Sequence, residues 1–302
     1  MARIAVVGSI NIDLVTRTPR PPLPGETILG TSFDMLPGGK GANQAIAARR
    51  SGAQVDFIGA TGTDVFGTEL RKVLEDNEVG TAGLRTSDGS SGVACIVVDD
   101  SGENSIIVVG GSNTRLTGLT DTDRDIIAEA DILLCQLEIP VDTVAEAARH
   151  ARAHDTLVLL NPSPAQPLSP QLWELVDIAV VNEGEAERLS AELEGVDHVL
   201  TTRGGAGATY RGPRDSVTHP GVAVEVVDTT GAGDAFTGAL AARWDEGPEA
   251  ALAWACTAGA LAVTTLGAIA AIPVASEIQR IVHPLRRQPP DPLTGQLSVR
   301  HT

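Results

Sequence analysis

The chain has 302 residues, 42% hydrophobic and 20% charged, so it can bury a large core and is not disordered overall. Lys plus Arg number 22 against 39 Asp plus Glu, a net charge of −17, which argues against binding nucleic-acid backbones or anionic membranes but leaves room for a local phosphate pocket built from main-chain amides. Aromatics at 3% argue against base stacking along a single strand, and three scattered cysteines (Cys95, Cys135, Cys256) without C-x-x-C predict a reducing, cytoplasmic setting with neither a disulfide framework nor structural zinc.

In chain order, residues 4–7 read as a buried strand. The run is too short for a signal peptide, and Asp13 follows closely. Residues 13–33 are rich in Pro and Thr and break the rhythm. A helix over 42–51, a strand over 55–58 and a helix over 66–78 follow. Residues 93–98 and 105–109 are β-rich runs around Asp99-Asp100-Ser101-Gly102, a hairpin signal. Then come a helix over 122–130, a strand over 132–134, a helix over 141–154, strands over 157–160 and 178–181, a helix over 183–193 and a strand over 199–201. Repeated β-α units predict a parallel sheet covered on both faces. The two irregular segments predict strands of a small sheet projecting from it. Residues 250–276 carry no charge and are long enough to span a bilayer. Their Ala, Gly and Thr content predicts instead a buried helix plus loop. The last stretch, 284–302, is proline-rich and reads as a mobile tail.

Three stretches carry chemistry. In Val227-Asp228-Thr229-Thr230-Gly231-Ala232-Gly233-Asp234-Ala235-Phe236-Thr237-Gly238, a turn of small residues opens a helix whose free N–H groups form an anion hole. Asp234 stands at its mouth, suited to take a proton from a hydroxyl while the amides stabilise charge moving onto phosphate. Gly231-Ala232-Gly233-Asp234 alone reads sooner as a helix cap; the full string reverses that. In Pro37-Gly38-Gly39-Lys40-Gly41-Ala42-Asn43-Gln44-Ala45, three glycines allow close backbone approach, and Lys40 and Asn43 offer donors to a polyhydroxylated ligand. It lacks the spacing of a P-loop. In Gly8-Ser9-Ile10-Asn11-Ile12-Asp13, at the C-terminal end of the first strand, Asn11 and Asp13 are placed to hold sugar hydroxyls. His150 and His154, four apart on a helix, have the spacing of metal ligands but no third partner nearby, and read as an exposed helix face. No G-x-G-x-x-G follows the first strand, which argues against a nicotinamide-dependent oxidoreductase.

These stretches, together with Pro24-Gly25-Glu26-Thr27, Asn161-Pro162-Ser163-Pro164 and Asn182-x-x-Glu185, occur in the order found in the PfkB-type, ribokinase-like carbohydrate kinase family, which the chain resembles over residues 4–273. The resemblance implies a three-layer α/β/α fold with a mostly parallel sheet and a small β-sheet lid. The expected catalytic domain is 1–12, 41–90 and 112–283, with the lid at 13–40 and 91–111. It implies transfer of the terminal phosphate of ATP to the 5-hydroxyl of D-ribose. The G-G-K-G-A-N-Q form points to the ribose branch. Other acceptors (2-deoxyribose, fructose, a nucleoside) and a catalytically inactive sugar-binding regulator are the alternatives.

The same resemblance implies roles. Asp234 would be the base, with Gly231, Ala232 and Gly233 as anion hole. Asn11, Asp13, Gly39, Lys40, Asn43 and Glu138 would bind the sugar. Asn182 and Glu185 would organise Mg²⁺ and phosphate, Glu185 through water. The stretch from Thr202 through Gly204 and Gly205 to Gly207 would hold ATP. Arg203 in it reads as either a phosphate contact or a solvated charge. Cys256 would line the adenine pocket, where the family commonly has His or Asn. Asp228, Thr230, Ala262, Thr265, Gly267 and Ala271 would hold K⁺ or a similar monovalent cation, although the family often has Ser at the last position. The segment 190–197 is shorter than usual in the family. A homodimer through the lid is also implied, and an exposed sheet edge gives a physical reason for one.

Overall fold

The computed structural model describes residues 1–282, so the tail expected at 284–302 lies outside the described residues. Thirteen strands are present: β1 (Arg3–Val7), β2 (Asn11–Arg17), β3 (Ser32–Gly38), β4 (Gln54–Gly62), β5 (Gly80–Ser87), β6 (Gly92–Val98), β7 (Asn104–Val109), β8 (Ile132–Cys135), β9 (Leu157–Leu160), β10 (Ile178–Asn182), β11 (His198–Thr202), β12 (Ala208–Arg211) and β13 (Ser216–His219). Nine form one sheet in the order β13-β12-β11-β10-β9-β8-β1-β4-β5. It is parallel from β5 to β11 and ends in the antiparallel pair β12 and β13. The other four form a separate sheet, β3-β2-β6-β7. The three-layer α/β/α architecture with a small second sheet is therefore as expected.

Alternation along the central strands builds the layers, because successive side chains leave a strand on opposite faces. Ile4 and Val6 enter one hydrophobic cluster, with Ala45 and Ile46 of the helix Lys40–Arg50 and Ala235 and Leu240 of the helix Ala232–Arg243. Ala5 and Val7 enter the other, with Ile127 of the helix Asp121–Ala128 and Val144 and Ala148 of the helix Val141–Arg152. The charge-free run is the helix Pro248–Ala262 plus a loop and the short helix Ala268–Ala271. No helix among the described residues is long and apolar enough to cross a membrane.

Three expectations need correction. The helix over 183–193 breaks at Leu189 (φ −105°, ψ 19°), whose side chain enters the core, leaving Glu183–Arg188 and Ser190–Leu193. That second helix fills the short segment. The Pro-rich stretch forms strands only at its two ends, β2 and β3; Pro21, Pro22 and Pro24 between them lack N–H groups for a ladder. The strands β5, β12 and β13 had no apolar run to announce them.

Candidate active site

The site is built where the helices Lys40–Arg50 and Ala232–Arg243 cross. Gly231 takes the left-handed conformation (φ +77°) that turns the chain into the helix Ala232–Arg243, placing Asp234 in its first turn, 7% exposed. Further along, Gly238 lies against the backbone of the helix Lys40–Arg50. A Cβ there would stand 2.2 Å from the Gln44 carbonyl oxygen. This close crossing brings Asn43 and Gln44 to Asp234. Asn43 Nδ2 donates to Asp234 Oδ2 at 2.9 Å, and Gln44 Nε2 donates to Oδ1 at 2.8 Å. Asn43 Oδ1 is buried without a partner among the described residues.

The other acids converge from the strand ends. Glu138, after β8, accepts from Ser9 Oγ at 2.5 Å and from the Lys40 N–H at 3.2 Å. Asp13, on β2, lies over Gly38, where a Cβ would be 2.5 Å from its Oδ2. Burial first, then the charges of Glu138 and Asp234, push the Asp13 carboxyl up to about 7. Asn11 Oδ1 accepts from Asn113 Nδ2 at 2.7 Å, which leaves the Asn11 amide nitrogen for another acceptor. Gly39 (φ +93°) starts the helix Lys40–Arg50 with its Cα against Ile10 and Asn11; a Cβ would stand 2.8 Å from the Asn11 nitrogen. Lys40 stands at the junction. Its ammonium is held charged chiefly by Asp234, with Glu138 and Glu185 adding, against the effect of burial.

Beyond Asp234 a cavity of about 130 Å³ is lined by Lys40, Asn182, Glu185, Gly231, Gly233 and Asp234, among others. Asn182 and Glu185 form a reciprocal helix cap: Asn182 Oδ1 accepts the Glu185 N–H at 2.8 Å, and Glu185 Oε2 accepts the Asn182 N–H at 2.9 Å. Their spacing thus has a local structural cause, and it also presents a 5%-exposed carboxylate to the cavity. At Thr202 and Gly233 this cavity adjoins a larger cleft of about 430 Å³. Thr202, Gly204, Gly205, Gly207 and Cys256 line it, opposite Val222, Val224 and Val226. A Cβ on Gly204, Gly205 or Gly233 would meet nothing within 4 Å. The protein itself does not crowd these glycines; the open space over their backbones fits phosphate and nucleoside. Burial pushes the Cys256 thiol up to about 11, so it adds an uncharged wall.

Arg203 is not among the residues lining the cleft. Its Nε lies 3.7 Å from Glu183 Oε1 on the surface, drawn there by opposite charge. His150 Nε2 and His154 Nδ1 each lie 2.9 Å from a main-chain oxygen, those of Arg124 and His150. Asp228 accepts from Thr230 N–H and Oγ–H at 2.9 and 2.7 Å and from the Gly267 N–H at 2.9 Å. It thereby ties the turn before Gly231 to the loop after Ala262, which carries Thr265 and leads into the short helix that ends at Ala271.

The pfkB family carbohydrate kinase model matches residues 1–275. The chain belongs to this carbohydrate kinase family. A ribokinase of Bacillus subtilis (strain 168) is 40% identical over 294 residues, covering 93% of this chain and 100% of that protein. The structure of Arabidopsis thaliana ribokinase complexed with ribose and ATP superposes with a TM-score of 0.86 at 30% identity, covering 93% and 99%. That of Thermotoga maritima ribokinase gives 0.86 at 33%, again over 93% and 99%. For this pfkB-family kinase, reading the sequence missed Ser9, Gln44, Asn113, Gln136 and Asn161 as parts of the site network, and the 222–226 wall of the cleft. Ser9, Gln44 and Asn161 sit in quoted motifs and Gln136 directly follows β8, whereas Asn113 lies in the turn Gly111–Arg115, outside both. Buried polar side chains at such places were the available signal.

Proposed function

We propose that this chain transfers the terminal phosphate of ATP to the 5-hydroxyl of D-ribose, giving ribose 5-phosphate and ADP. The observation that carries the reading is the position of Asp234: it closes a phosphate-sized cavity continuous with the nucleotide cleft, and its charge, with that of Glu138, acts on both Asp13 and Lys40. In this reading Asp234 takes the hydroxyl proton as the bond to phosphorus forms. The amides of Gly231, Ala232 and Gly233 receive the charge that develops on the phosphate oxygens. Asn11, Asp13, Gly39, Asn43 and Glu138 hold the sugar hydroxyls, and Lys40 reaches both sugar and phosphate. Thr202, Gly204, Gly205 and Gly207 with Cys256 hold the nucleotide; Arg203 stays at the rim.

Glu185 has one oxygen committed to the Asn182 N–H and sits in the phosphate cavity, a donor set that fits a hydrated Mg²⁺ accompanying ATP. Bound Mg²⁺ would neutralise phosphate charge there. Asp228 with main-chain oxygens around Thr230, Ala262, Thr265, Gly267 and Ala271 is a hard-oxygen set suited to K⁺, which would hold the anion-hole turn in place. The small sheet acts as a lid that excludes water during transfer. Its edge strand β7 exposes Ile106, Ile107, Val108 and Val109, and β3 exposes Phe33 and Met35, which supports a homodimer joined through the lids. A cytoplasmic site, where ATP is at hand, goes with three unpaired cysteines.

The test is an acceptor panel with coupled ADP detection, run with and without K⁺. kcat/KM is expected to be highest on ribose. A higher value on 2-deoxyribose, fructose or a nucleoside overturns the acceptor. Ribose binding without ADP formation overturns catalysis in favour of a sugar-binding regulator.

A further inference from the structure

We propose that Gln44 is a positioning residue that aims the Asp234 carboxylate, and that Gln136 fixes which end of the Gln44 amide faces it. This rests on Asp234 being the base. Gln44 Nε2 donates both to Asp234 Oδ1 (2.8 Å) and to Asn161 Oδ1 (3.0 Å). Gln44 Oε1 accepts from Gln136 Nε2 at 2.7 Å. Asn161 is itself oriented, because its Nδ2 donates to the Val180 carbonyl at 2.9 Å. Each amide in the row therefore has only one direction available. Turning Gln44 over would set its oxygen against two other oxygens, in a place where Gln44 and Gln136 are wholly buried and water cannot substitute.

The row has a steric cost that a merely structural contact would not require. Gln136 Oε1 is buried with no partner among the described residues. The space it fills is that of a missing side chain: a Cβ on Gly8 would lie 2.1 Å from it. Apolar side chains of similar size would fill the same volume without an orphaned oxygen. What the amides supply instead is direction. With Asn43 on Oδ2 and Gln44 on Oδ1, the carboxylate cannot spin about its Cβ–Cγ bond, yet each oxygen keeps a lone pair for the incoming hydroxyl proton. Amides do not titrate near neutrality, so they do not compete for that proton. The charged groups acting on Asp234 or its neighbours, namely Lys40, Asp13, Glu138 and Glu185, are untouched by changes in the row.

The experiment compares Gln44→Met, Gln136→Met and the double variant with Asp234→Asn. Folding is checked by thermal melts. For Gln44→Met, kcat is expected to fall about 10- to 100-fold while KM for ribose and for ATP stay within about twofold, since a misaimed base loses rate and not binding. Gln136→Met loses less. The double variant is no slower than Gln44→Met, because both act through one contact. A folded Gln44→Met with wild-type kcat overturns the proposal, as does a rise in KM with kcat intact. If Gln44→Met does not fold, Gln136→Met decides by the same two readouts. Near-normal turnover in Asp234→Asn overturns the base reading itself; an inactive Asp234→Asn beside a normal Gln44→Met overturns only this inference.

Discussion

The acceptor end and the nucleotide end of the cleft are made by opposite means. Around Asp234 the key polar side chains are already held: Asp234 by Asn43 and Gln44, Glu138 by Ser9, Asn11 by Asn113. The nucleotide end has small and aliphatic walls, open backbone at Gly204, Gly205 and Gly233, and one wall (222–226) with no regular structure. On the proposed reading, the acceptor end is organised before any ligand arrives, whereas the nucleotide end would grip its ligand mainly through the main chain. Substitutions at the first end should change chemistry or sugar affinity, and those at the second should change nucleotide affinity.

The largest effect expected is on Asp234→Asn, where kcat falls by about 10²- to 10⁴-fold with the calorimetric affinity for ribose nearly unchanged. A parallel loss of ribose affinity would erase the distinction between aiming and binding at this end. Next, Asp13→Asn weakens ribose by about 10- to 100-fold, the range of hydrogen bonds to a charged group, while KM for ATP holds. The elevated Asp13 carboxyl also has a signature in pH. Its proton is kept in the folded state between the ordinary value of 3.8 and about 7, where the unfolded chain has lost it. Ligand-free stability therefore declines as pH rises through that window, and ribose affinity climbs as pH passes about 7 and the carboxylate forms. Thermal melts across the window should show the slope in the wild type and a flatter one in Asp13→Asn; equal slopes would remove the electrostatic cluster from the account.

The smallest effects come from a matched pair of glycines on one helix. Gly238→Ala collides with the Gln44 backbone and should cost about 1–3 kcal/mol of stability. Gly233→Ala has open space above it, so melting should be unchanged while KM for ATP rises. A destabilised Gly233→Ala with normal nucleotide affinity would mean that the space belongs to the fold and not to a phosphate.

Much of this was legible beforehand because it is local. Runs such as Ile4 to Val7 announce central strands by composition. The turn at Gly231 announces the start of the helix Ala232–Arg243 by its small residues, and the N-x-x-E spacing announces a cap that also faces the cavity. What stayed hidden is what tertiary contact decides. Gln44 and Asp234 lie 190 positions apart and meet only because Gly238 lets two helices touch. β12 owes its place to pairing with β11 rather than to an apolar run of its own, and nothing in Arg203 says that Glu183 will draw it to the surface.

The helix Ala232–Arg243 is both part of the hydrophobic core and the carrier of the carboxylate proposed as base, with nine of its residues buried. Such an element cannot breathe by itself; loosening it melts the protein. On the proposed reading, entry and exit of the sugar at Asp234 then fall to the opposite wall. Amide hydrogens of this helix should be among the slowest to exchange, and those of the four-stranded sheet among the fastest. Cross-linking that sheet to its neighbours would throttle turnover without altering one reacting atom.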